Sequence, residues 1–299
     1  MTLPNKTFSR NPTHINMLPK GCNVHRYQIM DVLNADSCSI VYRCIYHALK
    51  RQYLIKEYFP FQWVYRNDDG LTVQVDPQAQ IEYRWGIERH LNEAMILTKI
   101  NHPGVLRILD YFEANGTVYI VMEDKVGGQF SQVLQQDKIL SEPRIFRLIE
   151  DVLSALEATH TSGYLYRDLK PDTLYCSLDN QTILFNFNAA LALQRRHKYV
   201  TAFFSPGYSP IECYLTDGRR YGPWSDVYAF GAMLYHCVTG AAPIEAPTRV
   251  LDDPLRPAEV VAMGCYTPVL LRWIDQSMTV RPEQRFQSIA EMRAAINFV

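Results

Sequence analysis

The stretch Tyr166-Arg167-Asp168-Leu169-Lys170-Pro171-Asp172-Thr173 is a charged loop between two short β-like segments, and its reading decides that of the whole chain. Immediately upstream, Ser141 stands where it can cap a helix. The apolar residues that follow (Ile145, Leu148, Ile149, Val152, Leu153 and Leu156) recur every three or four positions, as on one face of an amphipathic helix. Downstream, helical runs are expected at 224–238, 269–278 and 288–296. Before Gly127-Gly128 the character differs. Residues 27–33, 39–46 and 52–57 are short runs rich in Val, Ile, Tyr and Cys, separated by turn residues, and they read as strands. Residues 59–80 read as loop, with Asn67-Asp68-Asp69-Gly70 as a turn. Ile87, Leu91, Ala94, Met95 and Thr98 give 81–100 helical spacing, ended by His102-Pro103-Gly104. Two more strands, 105–112 and 118–122, flank the hairpin-type turn Glu113-Ala114-Asn115-Gly116. The expected organisation is a flexible leader over 1–20, a β-rich part with one long helix over 21–126, and a larger, mainly helical part over 127–299.

Composition narrows the function classes. With 299 residues, 47% hydrophobic and 20% charged, the chain can bury a sizeable core. A net charge of -1 gives no whole-molecule attraction to nucleic acid or membrane. Seven cysteines without a C-x-x-C pair argue against a disulfide framework or zinc site and suit a reducing cytoplasm. The most apolar stretches, such as 229–239, are too short and polar to span a bilayer, and residues 1–20 lack the apolar core of a signal peptide. The expectation is a cytoplasmic protein with no membrane segment and no nucleic-acid partner.

The loop at 166–173 resembles the catalytic loop of protein kinases, H-R-D-L-K-P-x-N, and its neighbours carry the same resemblance in order. Tyr53-Leu54-Ile55-Lys56 stands where V-A-I-K is expected, and Glu93 where the lysine's ion-pair partner belongs. Asn186-Phe187-Asn188 occupies the D-F-G position. Ser209-Pro210-Ile211-Glu212 resembles A-P-E, with Arg285 where its late arginine partner falls. Asp226-Val227-Tyr228-Ala229-Phe230-Gly231 resembles D-x-W-x-x-G. The resemblance implies a two-lobed α+β kinase-like fold, with a small β-rich lobe and a larger helical one. Pro206 to Glu212, the run 234–243 and Asp252-Asp253-Pro254-Leu255 are similar to bacterial Ser/Thr kinases.

Against that family pattern the chemistry-bearing positions have changed. Kinases hold Mg²⁺ with the D-F-G aspartate and the catalytic-loop asparagine; here those are Asn186 and Thr173, so no metal is expected. Loss of metal assistance worth ~4–6 kcal/mol slows the step by roughly 10³- to 10⁴-fold. The glycine-rich loop maps onto Leu33-Asn34-Ala35-Asp36-Ser37-Cys38-Ser39-Ile40-Val41, with all three glycines gone and Asp36 set against phosphate. Leu54 replaces the small residue over adenine and Tyr175 the leucine beneath it. With Lys56, Glu93, Met122 and Glu123 they form a degraded nucleotide pocket. Asp168 and Lys170 persist as vestiges of the catalytic base and its neighbour, and Tyr166, Phe187 and Leu97 form an apolar column anchored by Asp226. Arg167 implies an activation-loop phosphate, with Tyr199, Thr201 and Ser205 as candidate acceptors, beside the basic cluster Arg195-Arg196-His197-Lys198.

These changes lead to a pseudokinase that scaffolds or regulates a protein partner, an active kinase or its substrate among the candidates, with no cofactor expected. Two alternatives stay open: a slow or non-standard ATP-dependent transferase (protein kinase or nucleotidyl transferase), and a sensor that binds ATP weakly without Mg²⁺.

Overall fold

A computed structural model describes residues 16–125, 127–193, 200 and 202–296. It divides into two compact units, Met1–Ala94 with Ile108–Asp124, and Met95–Arg107 with Lys125–Val299. The first is a β-sheet unit with one long helix and the second a mainly helical unit, the organisation that the resemblance implies.

Unit 1 holds strands β1 (Asn23–Val24), β2 (Tyr27–Ala35), β3 (Ser39–Tyr46) and β4 (Arg51–Tyr58), the short pair β5 (Val64–Arg66) and β6 (Val73–Val75), helix α1 (Gln80–Leu97), and strands β7 (Ile108–Ala114) and β8 (Thr117–Glu123). Six of the strands make one antiparallel sheet in the order β1-β2-β3-β4-β8-β7. At the β7–β8 turn Asn115 and Gly116 both take positive φ (52° and 77°), the torsions of a type I′ hairpin turn and the reason Asn-Gly suits it. Fully buried Ile40, Tyr42, Ile55, Phe59 and Tyr119 supply the core, each such side chain contributing about 1.5–3 kcal/mol of burial.

Two expectations are corrected here. Residues 59–80 contain a hairpin, β5 paired with β6, rather than only loop. Its strands have three residues each, too short for any periodicity to show. Residues 1–15 of the expected leader lie outside the described residues. Residues 16–18 are packed: Leu18 is buried, its peptide N–H donates to the Tyr42 hydroxyl (3.1 Å), and Asn16 accepts from Arg66.

Unit 2 contains β9 (Gly127–Gln129), α2 (Phe130–Asp137), α3 (Glu142–Thr161), β10 (Tyr164–Leu165), β11 (Leu174–Ser177), β12 (Thr182–Leu184), β13 (Leu191–Ala192), α4 (Pro223–Thr239), α5 (Ala258–Val261), α6 (Pro268–Ser277) and α7 (Ile289–Ala294). The α3 stripe read from the sequence is the buried face of that helix. Helix α4 is buried around nearly its whole circumference, as an apolar helix at the centre of a bundle must be. Strands β9, β11 and β12 form a small sheet, and β10 pairs with β13. Together these short strands bracket the 166–173 loop.

Candidate functional site

In unit 1 strand alternation sends successive β4 side chains to opposite faces, so Lys56 and Glu57 have different surroundings. Lys56 Nζ meets Glu93 Oε2 at 3.2 Å, and Glu93, on α1, is almost fully buried. Tyr58 ties the same helix to the strand. Its ring lies 4.4 Å from that of His90, and a Cβ on Gly86 would fall 1.9 Å from its hydroxyl, so a larger residue there would have to displace the Tyr58 ring. Burial, aided by the positive charge of Lys56, pushes the His90 pKa down to about 4.

Glu57 is fully buried and is the polar centre of the other face. Arg66 clasps it through both nitrogens (2.9 and 2.8 Å), and the hydroxyls of Tyr42 and Tyr119 each donate to it at 2.8 Å. Every carboxylate oxygen therefore has partners, the condition under which a buried ion pair is tolerated. The sequence reading did not single out Glu57 or Arg66. A charged residue at an inward strand position, next to Ile55 and Phe59, was the available signal.

The turn between β2 and β3 closes on itself. Asp36 Oδ1 accepts from the peptide N–H groups of Cys38 and Ser39 (2.8 Å each), and Oδ2 accepts from the Ser39 hydroxyl (2.9 Å). Phe59 N–H and Phe61 N–H donate to the Cys38 and Ser37 carbonyls at 2.8 and 3.3 Å, fastening the turn to the chain after β4. Leu54 pairs with Met122 across β4 and β8, and both Leu54 and Glu123 are partly exposed.

In unit 2 the 166–173 loop hangs from one buried carboxylate. Asp226, on α4, accepts from the N–H groups of Tyr166 (2.9 Å) and Arg167 (2.7 Å) and meets His160 Nε2 at 2.7 Å. That grip holds Arg167 at φ 69°, a left-handed torsion rarely adopted by a non-glycine residue. Tyr166 and Phe187, both fully buried, meet edge to face with centroids 4.9 Å apart. Glu212 and Arg285 make the expected buried pair, at 2.8 and 3.2 Å.

The structure puts Asp168, Lys170 and Ser205 together. Ser205 donates to Asp168 Oδ1 (2.8 Å), and Lys170 Nζ lies 2.7 Å from the serine oxygen and 3.1 Å from the carboxylate. Ser205, one of the candidate acceptors read from the sequence, is buried and held by these contacts. Tyr199, Thr201 and the basic cluster 195–198 lie outside the described residues. Arg167 is buried over the Tyr221 ring at 4.3 Å and donates to the Ala189 carbonyl at 3.3 Å.

The two metal positions are turned inward. The Thr173 hydroxyl donates to the Asp168 carbonyl (2.7 Å) and accepts from Lys170 N–H (3.2 Å). Asn186, at φ 65°, accepts the Asn188 amide at 2.6 Å. Mg²⁺ favours anionic oxygen in a near-octahedral set, and a neutral hydroxyl and a neutral carboxamide, each engaged by its own loop, do not fit it. Among the described residues no three His, Cys, Asp or Glu side chains cluster to hold a metal ion. Tyr175, on β11, reaches across β9 to donate to the Lys125 carbonyl at 2.6 Å. Gly127 permits this, since a Cβ there would lie 2.1 Å from the Cys176 carbonyl and 2.9 Å from the Tyr175 ring.

Comparison with known proteins adds the following. The sequence model of the protein kinase domain matches residues 72–266, more than half of the chain, beginning after the Asp36 turn and Lys56. Serine/threonine-protein kinase PknB of Mycolicibacterium smegmatis is 28% identical over 289 residues, covering 90% of this chain and 42% of that protein. Serine/threonine-protein kinase RUNKEL of Arabidopsis thaliana is 29% identical over 272 residues, covering 88% of this chain and 18% of that protein. The chain thus spans well under two thirds of the length of these relatives. A solved structure described as PpkA-294 apo form is similar with a TM-score of 0.84 and 29% identity, over 94% of this chain and 100% of that one. No described helix is long and apolar enough to cross a membrane.

Proposed function

The chain belongs to the protein kinase family, and from that premise we propose that it is a pseudokinase that works by binding a protein partner rather than by transferring phosphate. One observation carries the reading: the side chains at both metal positions, Thr173 and Asn186, are neutral and hydrogen-bonded to their own loop. Phosphoryl transfer relies on positioning and on charge neutralisation by the metal, and neither position supplies an anionic ligand. The bulkier Leu54 and Tyr175, at the positions where the family resemblance puts the covers of the adenine ring, argue in the same direction. The motif elements that only hold the fold, Asp226 and the Glu212–Arg285 pair, are kept with buried, satisfied hydrogen bonds. A docking scaffold requires that part of the kinase architecture and no other. Its partner is a protein, an active kinase or a kinase substrate, and its setting is the reducing cytoplasm, in keeping with seven unpaired cysteines.

A second reading, slow or non-standard transfer, is favoured by the Asp168–Lys170–Ser205 cluster and the Lys56–Glu93 pair. The two are separated by calorimetric titration of ATP with and without Mg²⁺ or Mn²⁺, followed by labelled-ATP transfer with Asp168→Ala as control. The scaffold reading expects no cation-dependent binding and no transfer. Transfer by the parent that disappears in Asp168→Ala ends it.

A further inference from the structure

We infer that Asp36 is a built-in anion that fills a phosphate-accepting turn, so that this turn is closed to a nucleotide's polyphosphate by its own carboxylate. The inference rests on the pseudokinase reading and names how this turn is shut. Two consecutive peptide N–H groups and one hydroxyl, those of Cys38 and Ser39, converge on a single carboxylate at 2.8, 2.8 and 2.9 Å. Consecutive N–H groups aimed at one point form an anion-binding concavity, and charge-assisted bonds to it are roughly twice as strong as neutral ones.

In this alignment Cys38 and Ser39 are the last two positions of the glycine-rich loop, the segment that covers the phosphates in kinases. Asp36 itself stands at the position of the second glycine. Its effect therefore exceeds long-range repulsion, because it takes the donors themselves. The turn needs no ligand for its order, since the Asp36 N–H bonds the Ser39 carbonyl at 2.9 Å and Phe59 and Phe61 fasten it from the side. A phosphate approaching it has to displace a tethered carboxylate already within bonding distance.

The test uses the full chain, without divalent cation and with chelator present, titrated with sodium tripolyphosphate, adenosine and ATP. Asp36→Ala is expected to bind tripolyphosphate and ATP at least tenfold more tightly than the parent, with adenosine unchanged. The peptide hydrogens of Cys38 and Ser39 should exchange faster in the variant and slow again when tripolyphosphate is added. If Asp36→Ala fails to fold, Asp36→Asn decides, since it keeps an acceptor for the turn and loses the charge. It is expected to gain affinity in the same direction by a smaller factor. Unchanged tripolyphosphate affinity in a folded variant overturns the inference, and so does parent binding as tight as the variant's. A gain for adenosine alone also counts against it, since the base and not the phosphates would then be the group admitted. The failures are distinguishable: phosphate transfer by the parent refutes the pseudokinase reading, whereas absence of an anion gain refutes only the role of Asp36.

Discussion

The 166–173 loop of unit 2 and the Asp36 turn of unit 1 have both lost residues that the family uses on nucleotide and metal, yet they have responded differently. The loop keeps a left-handed torsion at Arg167, with φ of 69°. It does so because a fully buried carboxylate some 60 residues away, Asp226, grips two of its N–H groups. The turn is held instead by Asp36, two and three residues from the groups it bonds. One backbone geometry is fixed by a distant, buried partner, the other by a neighbouring side chain of the same turn.

The sharpest way to break this contrast is to delete the two aspartates in turn. Asp226→Ala leaves the Tyr166 and Arg167 N–H groups buried without that acceptor, and each such loss costs ~1–3 kcal/mol. We expect about 3–5 kcal/mol of destabilisation in urea titration, the range found when a buried charged partner is removed. Asp36→Ala acts on an exposed turn and is expected to cost about 1 kcal/mol. Equal losses would mean that the distant anchor is not what maintains the loop.

Much of this was legible in the sequence. Order and spacing carried the motif positions, so Glu212–Arg285, Lys56–Glu93 and the Asp226 anchor met as expected, and the 3.6-residue period of α3 gave its buried face. What escaped depended on contacts that no local pattern encodes. Arg66 reaches Glu57 from a hairpin too short to register as strands. Ser205 meets Asp168 across 37 residues. The charge of Asp36 was plain and 34–39 read as a β-turn, but which donors its carboxylate meets is a matter of torsion angles that the sequence does not give. Leu18 looked like leader because Ile15, Met17 and Leu18, set among prolines and polar residues, make no helix or strand period to reveal its burial.

The contact between α1 and β4 extends the contrast to pH. A histidine whose folded pKa lies below its unfolded value adds stability above that unfolded value, and the contribution is lost as the pH falls toward the folded one. For His90 the window runs from about 6.5 down to about 4, and the loss approaches about 3 kcal/mol at its lower end. Carboxylates titrate in the same range, so the measurement is the difference between the parent and His90→Gln across pH 7 to 4. The parent should fall more steeply. Parallel curves would show that His90 accepts its proton without cost and that the α1 contact is looser than its 4.4 Å ring separation implies.

A smaller effect than those of Asp226 and His90 bears most directly on the metal position. If the Thr173 hydroxyl now serves the loop, Thr173→Val removes its bonds to the Asp168 carbonyl and Lys170 N–H at a site 1% exposed and costs about 1–2 kcal/mol. Thr173→Asn restores the residue of the family pattern, whose amide can donate to the same carbonyl, and should stay within about 1 kcal/mol of the parent. Neither substitution supplies the carboxylate missing at Asn186, so neither should confer Mg²⁺-dependent stabilisation by ATP in thermal denaturation. A Thr173→Val protein as stable as the parent would show that the hydroxyl contributes nothing to the loop and that its two hydrogen bonds are incidental. The comparison between a loop held by its fold and a turn held by its own side chain would then have to rest on Asp226 alone.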